Sequence, residues 1–262
     1  MALEGSAESK RRAPLIDDYH LLTYQQLDST NEEARRLAEG GGAHGAFIWT
    51  HAQSGGRGRR GRDWISQKGN LFVSALLSPD CEFGQFPQLS FVAAAAAHAS
   101  VAPLLPDSDL KLKWPNDLLL EGEKLAGLLL ESFETIDEET GELKRWAVVG
   151  LGMNIENAPA GMDLPATCLK HAGVDLISAK IVLSRFIHHF IEWYQLWQDH
   201  GFEPIRKYWM NHSLHKGQQV EVLVGEQFYS GKFVGLDETG NLLLKPKGAK
   251  EISLSAGEVL LS

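Results

Sequence analysis

The sequence predicts an α+β protein in unequal parts: a large domain of interspersed strands and helices over 16–212, a small antiparallel β-barrel over 213–262, and a poorly ordered tail at 1–15. Three observations carry this. The chain has 262 residues, enough for one large core and one small one. Its residues are 44% hydrophobic and 23% charged, which is ordinary globular composition. Near Gly217 the character changes from long helical and strand patterns to short alternating runs parted by turn residues.

The elements follow in order. Leu21-Leu22-Thr23-Tyr24 reads as a first strand. Asp28-Ser29-Thr30-Asn31 precedes Glu32 and Glu33, so Ser29 with Glu32, or Thr30 with Glu33, has capping-box spacing for a helix that ends at Gly40-Gly41-Gly42. Ala46 to Thr50 and Leu71 to Leu77 are apolar runs of strand length. The stretch His51 to Gly69 between them is too long and polar for a plain connection. Pro87 to about Leu105 reads as a buried helix around an alanine run, and Leu110 to Trp114 as a strand closed by Pro115. Leu118 to Leu120, a turn at Glu121-Gly122-Glu123, and Leu125 to Phe133 suggest a hairpin. A second turn at Asp137 to Glu142 leads to a strand from Trp146 to Leu151. Ile177 to Trp197 repeats apolar residues at helical spacing, and a short helix surrounds Pro204 to Met210. The barrel strands are Val220 to Val224, Gln227 to Val234, Asn241 to Leu244 and Glu251 to Leu254.

Charge and cysteine usage exclude several classes. A net charge of −9 argues against a whole-surface nucleic-acid footprint, so any polyanion must meet a local basic patch. No apolar run is long enough to span a bilayer and no signal core follows the N-terminal Lys10-Arg11-Arg12, so the chain is expected to be cytoplasmic. Cys81 and Cys168 are too few for a disulfide framework or a cysteine-rich zinc site. The pair His212 and His215 has ligand-like spacing but no evident partner, and His188-His189 sits in a helix of core periodicity; no metal site is expected.

One segment stands out: Gln53-Ser54-Gly55-Gly56-Arg57-Gly58-Arg59-Arg60-Gly61-Arg62. Its glycines let the backbone approach a ligand closely, and its four arginines present planar forks to phosphate or carboxylate oxygens. By itself such a run reads equally well as an RGG-like nucleic-acid segment or a solvated loop. Its position between two strands of a folded core, with Trp64 following to cover what it encloses, favours a bound small anion. The like charges should repel one another until an anion arrives, so residues 54–66 are expected to become ordered on their ligand.

Two further clusters sit at strand ends, where rigid scaffolds present polar groups. Lys113-Trp114-Pro115-Asn116-Asp117 ends one strand and Lys124-Leu125-Ala126-Gly127 begins the next. Lys124 is placed to reach a bound anion; Asp117 suits orienting a lysine, accepting a proton or holding magnesium. Gly150-Leu151-Gly152-Met153-Asn154 again permits close backbone approach, with Asn154 free to bond a sugar or phosphate. The plain alternatives are a hairpin with a proline stop and a solvated lysine, and an ordinary turn.

Taken together, Asp28 to Asn31, Gln53 to Arg62, Gly69-Asn70-Leu71, Lys113 to Asp117, Lys124 to Gly127 and Gly150 to Asn154 resemble, in order and spacing, the signature of the biotin–protein ligases. The resemblance spans roughly residues 20–155, and the barrel is similar to the family's C-terminal domain. It implies a catalytic domain like that of class II aminoacyl-tRNA synthetases, a mixed central sheet flanked by helices, with a Src-homology-3-like barrel after it. It also implies a two-step reaction: biotin and ATP, with Mg2+, give biotinyl-5′-AMP, which then biotinylates a lysine of a biotin carboxyl carrier protein. The catalytic residues so implied are Lys124, Arg59 and Asp117. Biotin would be bound by Ser29, Thr30, Asn31, Gln53, Arg57, Gly58, Arg59 and Lys124. The nucleotide would meet Arg57, Arg59, Arg60, Arg62, Trp64, Asn116, Asp117, Gly127, Gly152 and Asn154. Bifunctional members carry a helix-turn-helix domain before the Ser-Thr-Asn segment; with 27 residues ahead of Asp28, this chain is expected to be monofunctional, a monomer or weak homodimer that binds no nucleic acid or membrane. The rival readings are a lipoate–protein ligase on the same scaffold and a nucleic-acid-binding module using the arginine loop.

Overall fold

A computed structural model describes residues 11–14, 18–137, 140–161 and 165–260. Eight strands form the larger of two sheets: β1 (Arg11–Pro14), β2 (His20–Tyr24), β3 (Ala46–Thr50), β4 (Leu71–Leu77), β5 (Leu110–Lys113), β6 (Asp117–Leu120), β7 (Glu123–Ile136) and β8 (Leu143–Met153). Their order is β1-β2-β3-β4-β8-β7-β6-β5. Strands β2 and β3 are parallel and every other pair is antiparallel, so the sheet is mixed.

The helices are α1 (Thr30–Glu39), α2 (Gln88–Val101), α3 (Ala179–His200) and α4 (Glu203–Asn211). Strand alternation divides the sheet's side chains between two faces. Leu22, Tyr24, Ile48, Leu76, Trp146 and Val148 pack with Ala34 and Ala38 of α1. Phe47, Val73, Ala75, Val149 and Leu151 join the larger core with α2, α3 and α4. The alanine run of α2 is buried almost throughout, because small side chains allow neighbours to close in on all sides. Central strands β3 and β4 are buried along their whole lengths and coincide with the apolar runs in the sequence.

The second sheet comprises β9 (Gln219–Val224), β10 (Gln227–Leu236), β11 (Leu242–Lys245), β12 (Ile252–Leu254) and β13 (Glu258–Leu260), ordered β12-β11-β10-β9-β13 and wholly antiparallel. Its inward residues Val222, Phe233, Leu244 and Val259 belong to the same buried cluster as α2 and α4. Trp114 Nε1 donates to Gly240 O at 3.2 Å, and Gln88 Nε2 to Glu238 O at 3.1 Å. The small sheet therefore leans directly on the Trp114 turn. The α+β class, the mixed sheet with flanking helices and the small antiparallel C-terminal unit are as expected.

Several local expectations need correction. Residues 11–14, read as tail, pair with β2 as an edge strand, since the chain's backbone groups there complete an otherwise open edge; 1–10 and 15–17 lie outside the described residues. Ser29 is the N-cap of α1, but no capping box forms. The carboxylates are drawn elsewhere: Glu33 accepts from Tyr24 Oη at 2.7 Å and from Arg36 at 2.9 Å, and Glu32 pairs with Arg57. Strand β8 runs on through Met153, past the expected end at Leu151, so Gly152 as well as Gly150 lies inside the strand. Among the described residues, no helix is long and apolar enough to cross a membrane.

Candidate active site

The site begins with a bare patch on the sheet. Along β8, Trp146 and Val148 face α1, so the period of two places Gly150 and Gly152 on the same face. Gly152 pairs with Gly127 of β7, and Gly150 with Leu129. A Cβ at Gly152 would stand 2.4 Å from Trp64 Cε2, one at Gly127 2.9 Å from Trp64 Cζ3, and one at Gly150 2.3 Å from Asn31 Oδ1. The glycines are thus required by close approach: the Trp64 indole lies flat over two of them and the Asn31 amide over the third. Trp64 Nε1 is buried there without a hydrogen-bond partner.

At one end of this floor is a cluster of neutral polar groups. Gln53 Oε1 accepts from the Thr30 N–H at 2.8 Å, which satisfies a free donor at the start of α1, and lies 3.2 Å from Thr30 Oγ1. Ser74 Oγ is within hydrogen-bonding distance of both Thr30 Oγ1 (2.7 Å) and Asn31 Oδ1 (2.6 Å). Asn31 Nδ2 donates to Glu131 Oε2 at 2.7 Å, and Gln53 Nε2 to Ser66 Oγ at 3.0 Å. Asp28 receives both arms of Arg36, at 2.8 and 2.9 Å, which hold its carboxyl down at about 2 and pin the turn into α1.

Lys124 stands at the other end, and a β-bulge puts it there. Asp117 pairs with Gly127 and Leu118 with Ala126, but Leu119 pairs with Lys124, leaving Leu125 as the extra residue. Strict alternation would turn Lys124 away from the face of Gly127; the bulge re-aims it, and Nζ comes within 3.3 Å of where a Gly127 Cβ would sit. Its backbone is held from the far side by Pro165 O, at 2.8 Å from Lys124 N, and by Thr167 N, at 3.0 Å from Lys124 O. Lys124 Nζ lies 2.7 Å from Asp117 Oδ1 in an ion pair without an aligned hydrogen bond, and 5.5 Å from the centre of the Trp64 ring.

The arginine loop closes the site. It folds back on itself through Gly58 N to Arg62 O (2.7 Å), Trp64 N to Gly56 O (2.9 Å) and an Arg57–Asp63 bridge. Arg57 pairs with Glu32 and lies 3.4 Å from Glu131; Arg62 pairs with Glu258 of β13, and Arg60 is 3.8 Å from the same carboxylate. Mutual repulsion was expected to keep this loop unordered without an anion; here the chain's own carboxylates supply the countercharge for three of the four arginines. Arg59 is the exception. It reaches only Asn116 Oδ1, at 3.4 Å, and burial pulls its pKa down. The resulting cleft encloses about 1240 Å³ including its open mouth, and six cations line it against three carboxylates, although the chain as a whole is acidic.

Comparisons with known proteins agree with this geometry. Residues 24–154 match the biotin/lipoate A/B protein ligase family, and residues 215–262 the biotin protein ligase C-terminal domain. The chain belongs to the biotin/lipoate A/B protein ligase family. It is 33% identical over 241 residues to the biotin–[acetyl-CoA-carboxylase] ligase of Paracoccus denitrificans, covering 89% of this chain and 97% of the relative. It is 32% identical to the bifunctional ligase/repressor BirA of Bacillus subtilis, covering 89% of this chain and 72% of that protein. A biotin protein ligase from Aquifex aeolicus, solved in complex with biotin and ATP, superposes with a TM-score of 0.75 at 28% identity, over 92% of this chain and 97% of that one.

In this ligase fold the residues singled out in the sequence come together. Ser29, Thr30, Asn31, Gln53, Arg57, Gly58, Arg59, Arg60, Arg62, Trp64, Asn116, Asp117, Lys124, Gly127, Gly152 and Asn154 all line one cleft. They are not equally available. Asn154 is buried and committed to structure: its Nδ2 donates to Thr167 O at 3.0 Å and its Oδ1 faces Asn70 Nδ2 at 3.4 Å. Asn116 likewise ties its turn to Leu128, through its own Nδ2 and through its carbonyl. Three contributors escaped the sequence reading, Ser74, Glu131 and Glu258, while Lys113 stood in the conspicuous Lys113–Asp117 turn with no role of its own. Glu131 looked like part of a solvated acidic run, yet counting by twos from Gly127 places it on the cleft face. None of the paired histidines lines the cleft, although His215 lies close enough to Lys113 to feel its charge. His212 Nδ1 is 2.9 Å from Tyr208 O, while His188 and His189 sit with Glu192 on α3, across the sheet from the cleft.

Proposed function

We propose that this protein is an ATP-dependent biotin–protein ligase that converts biotin to biotinyl-5′-AMP and transfers the biotinyl group to a lysine of a biotin carboxyl carrier domain. The observation that carries this is Lys124, re-aimed by its bulge onto the glycine floor, between a neutral polar cluster and a loop of arginines. A ureido ring needs donors and acceptors without net charge, which Thr30, Asn31, Gln53 and Ser74 supply. The carboxylate at the far end of biotin then points toward Lys124 and Arg59, where the α-phosphate of ATP would meet it. An oxygen of that carboxylate attacks the α-phosphorus, and the bond to the pyrophosphate oxygen breaks. Preorganised cations in a site shielded from water stabilise the charge that builds on the phosphoryl oxygens. In the second step the acceptor's neutral ε-amine attacks the carbonyl carbon of the mixed anhydride and AMP departs.

Asp117 lies 2.7 Å from Lys124 Nζ, so it orients that ammonium and balances its charge. The resemblance also implies magnesium. Asp117 is the carboxylate at the reacting end of the cleft that would hold such a hard cation, through Oδ2 or by sharing Oδ1 with Lys124, and the cation would screen charge on the phosphates. The Trp64 indole and the arginine loop cover the reacting atoms, which protects an adenylate that water would hydrolyse. Action in the cytoplasm, as a monomer or weak homodimer, belongs to the same reading. Lipoate transfer is not favoured, because the curated ligase relatives described above are biotin ligases or a bifunctional ligase/repressor.

Pyrophosphate release with biotin and ATP, and the mass of an acceptor domain before and after incubation, test the proposal. Lys124→Met should lower adenylate formation by about 100-fold or more while leaving the circular dichroism spectrum intact. Biotin-independent pyrophosphate release by the wild-type protein, or a folded Lys124→Met variant of normal rate, would contradict it.

A further inference from the structure

The cleft contains one cation that this reaction has not used. Lys113 is 4% exposed, and among the described residues it is the only lysine, arginine, aspartate or glutamate that is buried. It lines the cleft beside Trp114, Asn116 and Asp117, yet it forms no hydrogen bond or ion pair with any described residue. Two carboxylates act on it electrostatically, and both are engaged: Asp117 with Lys124, Glu258 with Arg62. Burial lowers the pKa of the ammonium while those two carboxylates oppose the shift. The Lys113 side chain is buried but lines the cleft without a partner among the described residues, so an anion entering beside its ammonium would offset the desolvation of that charge.

Position identifies which part of the ligand that anion is. Lys113 pairs with Asp117 across β5–β6, and Asp117 pairs with Gly127 across β6–β7. The three residues stand in a row from the glycine floor toward the sheet edge, and Lys113 lies on the side where Arg62 and Glu258 meet. Lys124 and Arg59 already serve the carboxylate and α-phosphate, so a cation one strand pair further out faces what lies beyond the α-phosphate. We propose that Lys113 is the seat of the nucleotide's β- and γ-phosphates and the cation that receives pyrophosphate as it leaves. This rests on the biotin-activating reading. When the carboxylate oxygen bonds to the α-phosphorus, the bond to the bridging oxygen breaks and its electron pair stays on the pyrophosphate. Lys113 keeps its proton throughout and stabilises that added charge.

Biotinyl-5′-AMP carries no pyrophosphate, and this separates the two half-reactions. Lys113→Met, which keeps the side-chain volume, should lower ATP-dependent adenylate formation by about 100-fold and weaken pyrophosphate as a product inhibitor at least tenfold. Transfer from added biotinyl-5′-AMP to an acceptor domain, and biotin affinity by calorimetry, should stay within about twofold of wild type. Lys113→Arg should recover part of the adenylation rate. In the wild-type protein, inorganic pyrophosphate alone should raise the melting temperature, an effect smaller in Lys113→Met. Equal losses in both half-reactions, or normal adenylation and pyrophosphate inhibition, would overturn the assignment. A wild-type protein that releases no pyrophosphate with biotin would instead overturn the reaction itself.

Discussion

Gly150→Ala tests the geometry of the floor directly. The added Cβ would lie 2.3 Å from Asn31 Oδ1 and 3.1 Å from Asn31 Cγ. Strand β8 cannot yield, because β4 pairs with it on one side and β7 on the other. The amide must therefore withdraw by about 1 Å to reach ordinary contact, since packed interiors leave no slack at this scale. Its short contacts, to Ser74 Oγ at 2.6 Å and Glu131 Oε2 at 2.7 Å, then stretch beyond hydrogen-bond reach. A neutral bond contributes about 1 kcal/mol and one to a carboxylate about 1.5–3 kcal/mol, so the variant should be destabilised by about 3 kcal/mol. Urea unfolding followed by tryptophan fluorescence measures this, and biotin affinity should fall at least tenfold alongside. The cause is checked by a cycle with Asn31→Ala: once the amide is gone, the methyl has nothing to displace, so the double variant should be no less stable than Asn31→Ala alone. Additive losses, or a Gly150→Ala midpoint equal to wild type, would refute the reasoning.

Three other outcomes follow from specific contacts. Burial and the neighbouring His212 lower the pKa of His98 to about 4, from 6.5 in the unfolded chain. The unfolded state therefore takes up the proton first as pH falls: stability is full above about pH 6.5, declines toward pH 4 by about 3 kcal/mol, and this decline should shrink in His98→Gln; an unchanged pH profile contradicts it. Glu258→Gln removes the countercharge of Arg60 and Arg62, so trypsin should cut the arginine loop several times faster in the ligand-free protein, with protection restored by biotin plus ATP; equal cutting means that Glu258 does not hold the loop. Gly152→Ala places a methyl 2.4 Å from Trp64 Cε2 and should expel the indole from the floor, seen as a red-shifted emission component absent in Gly152→Ala/Trp64→Phe; unshifted emission would place Trp64 elsewhere.

Much of this protein was legible along the chain, for a physical reason. Strands β3 and β4 coincide with apolar runs bounded by turn residues, because a strand buried on both faces needs no partner's identity to be recognised. The arginine–glycine loop, the Lys113–Asp117 turn and Lys124 were visible because charge and glycine are conspicuous against a core. What the chain could not disclose depends on pairing between distant segments. That Gly127, Gly150 and Gly152 form one bare floor follows from the β7–β8 register, and that Lys124 shares its face follows from a bulge at Leu125 set by β6. Glu131 meets Asn31 across 100 positions and Glu258 meets Arg62 across 196, so neither carboxylate carries a local sign of its role. Edge strands β1 and β13, four and three residues long, are too short for any pattern of their own and exist only because a neighbour offers a ladder. Composition and periodicity thus determined which residues are buried and which segments are conspicuous, while register, bulge and docking decided which polar groups share the cleft, because those are properties of pairs and not of single segments.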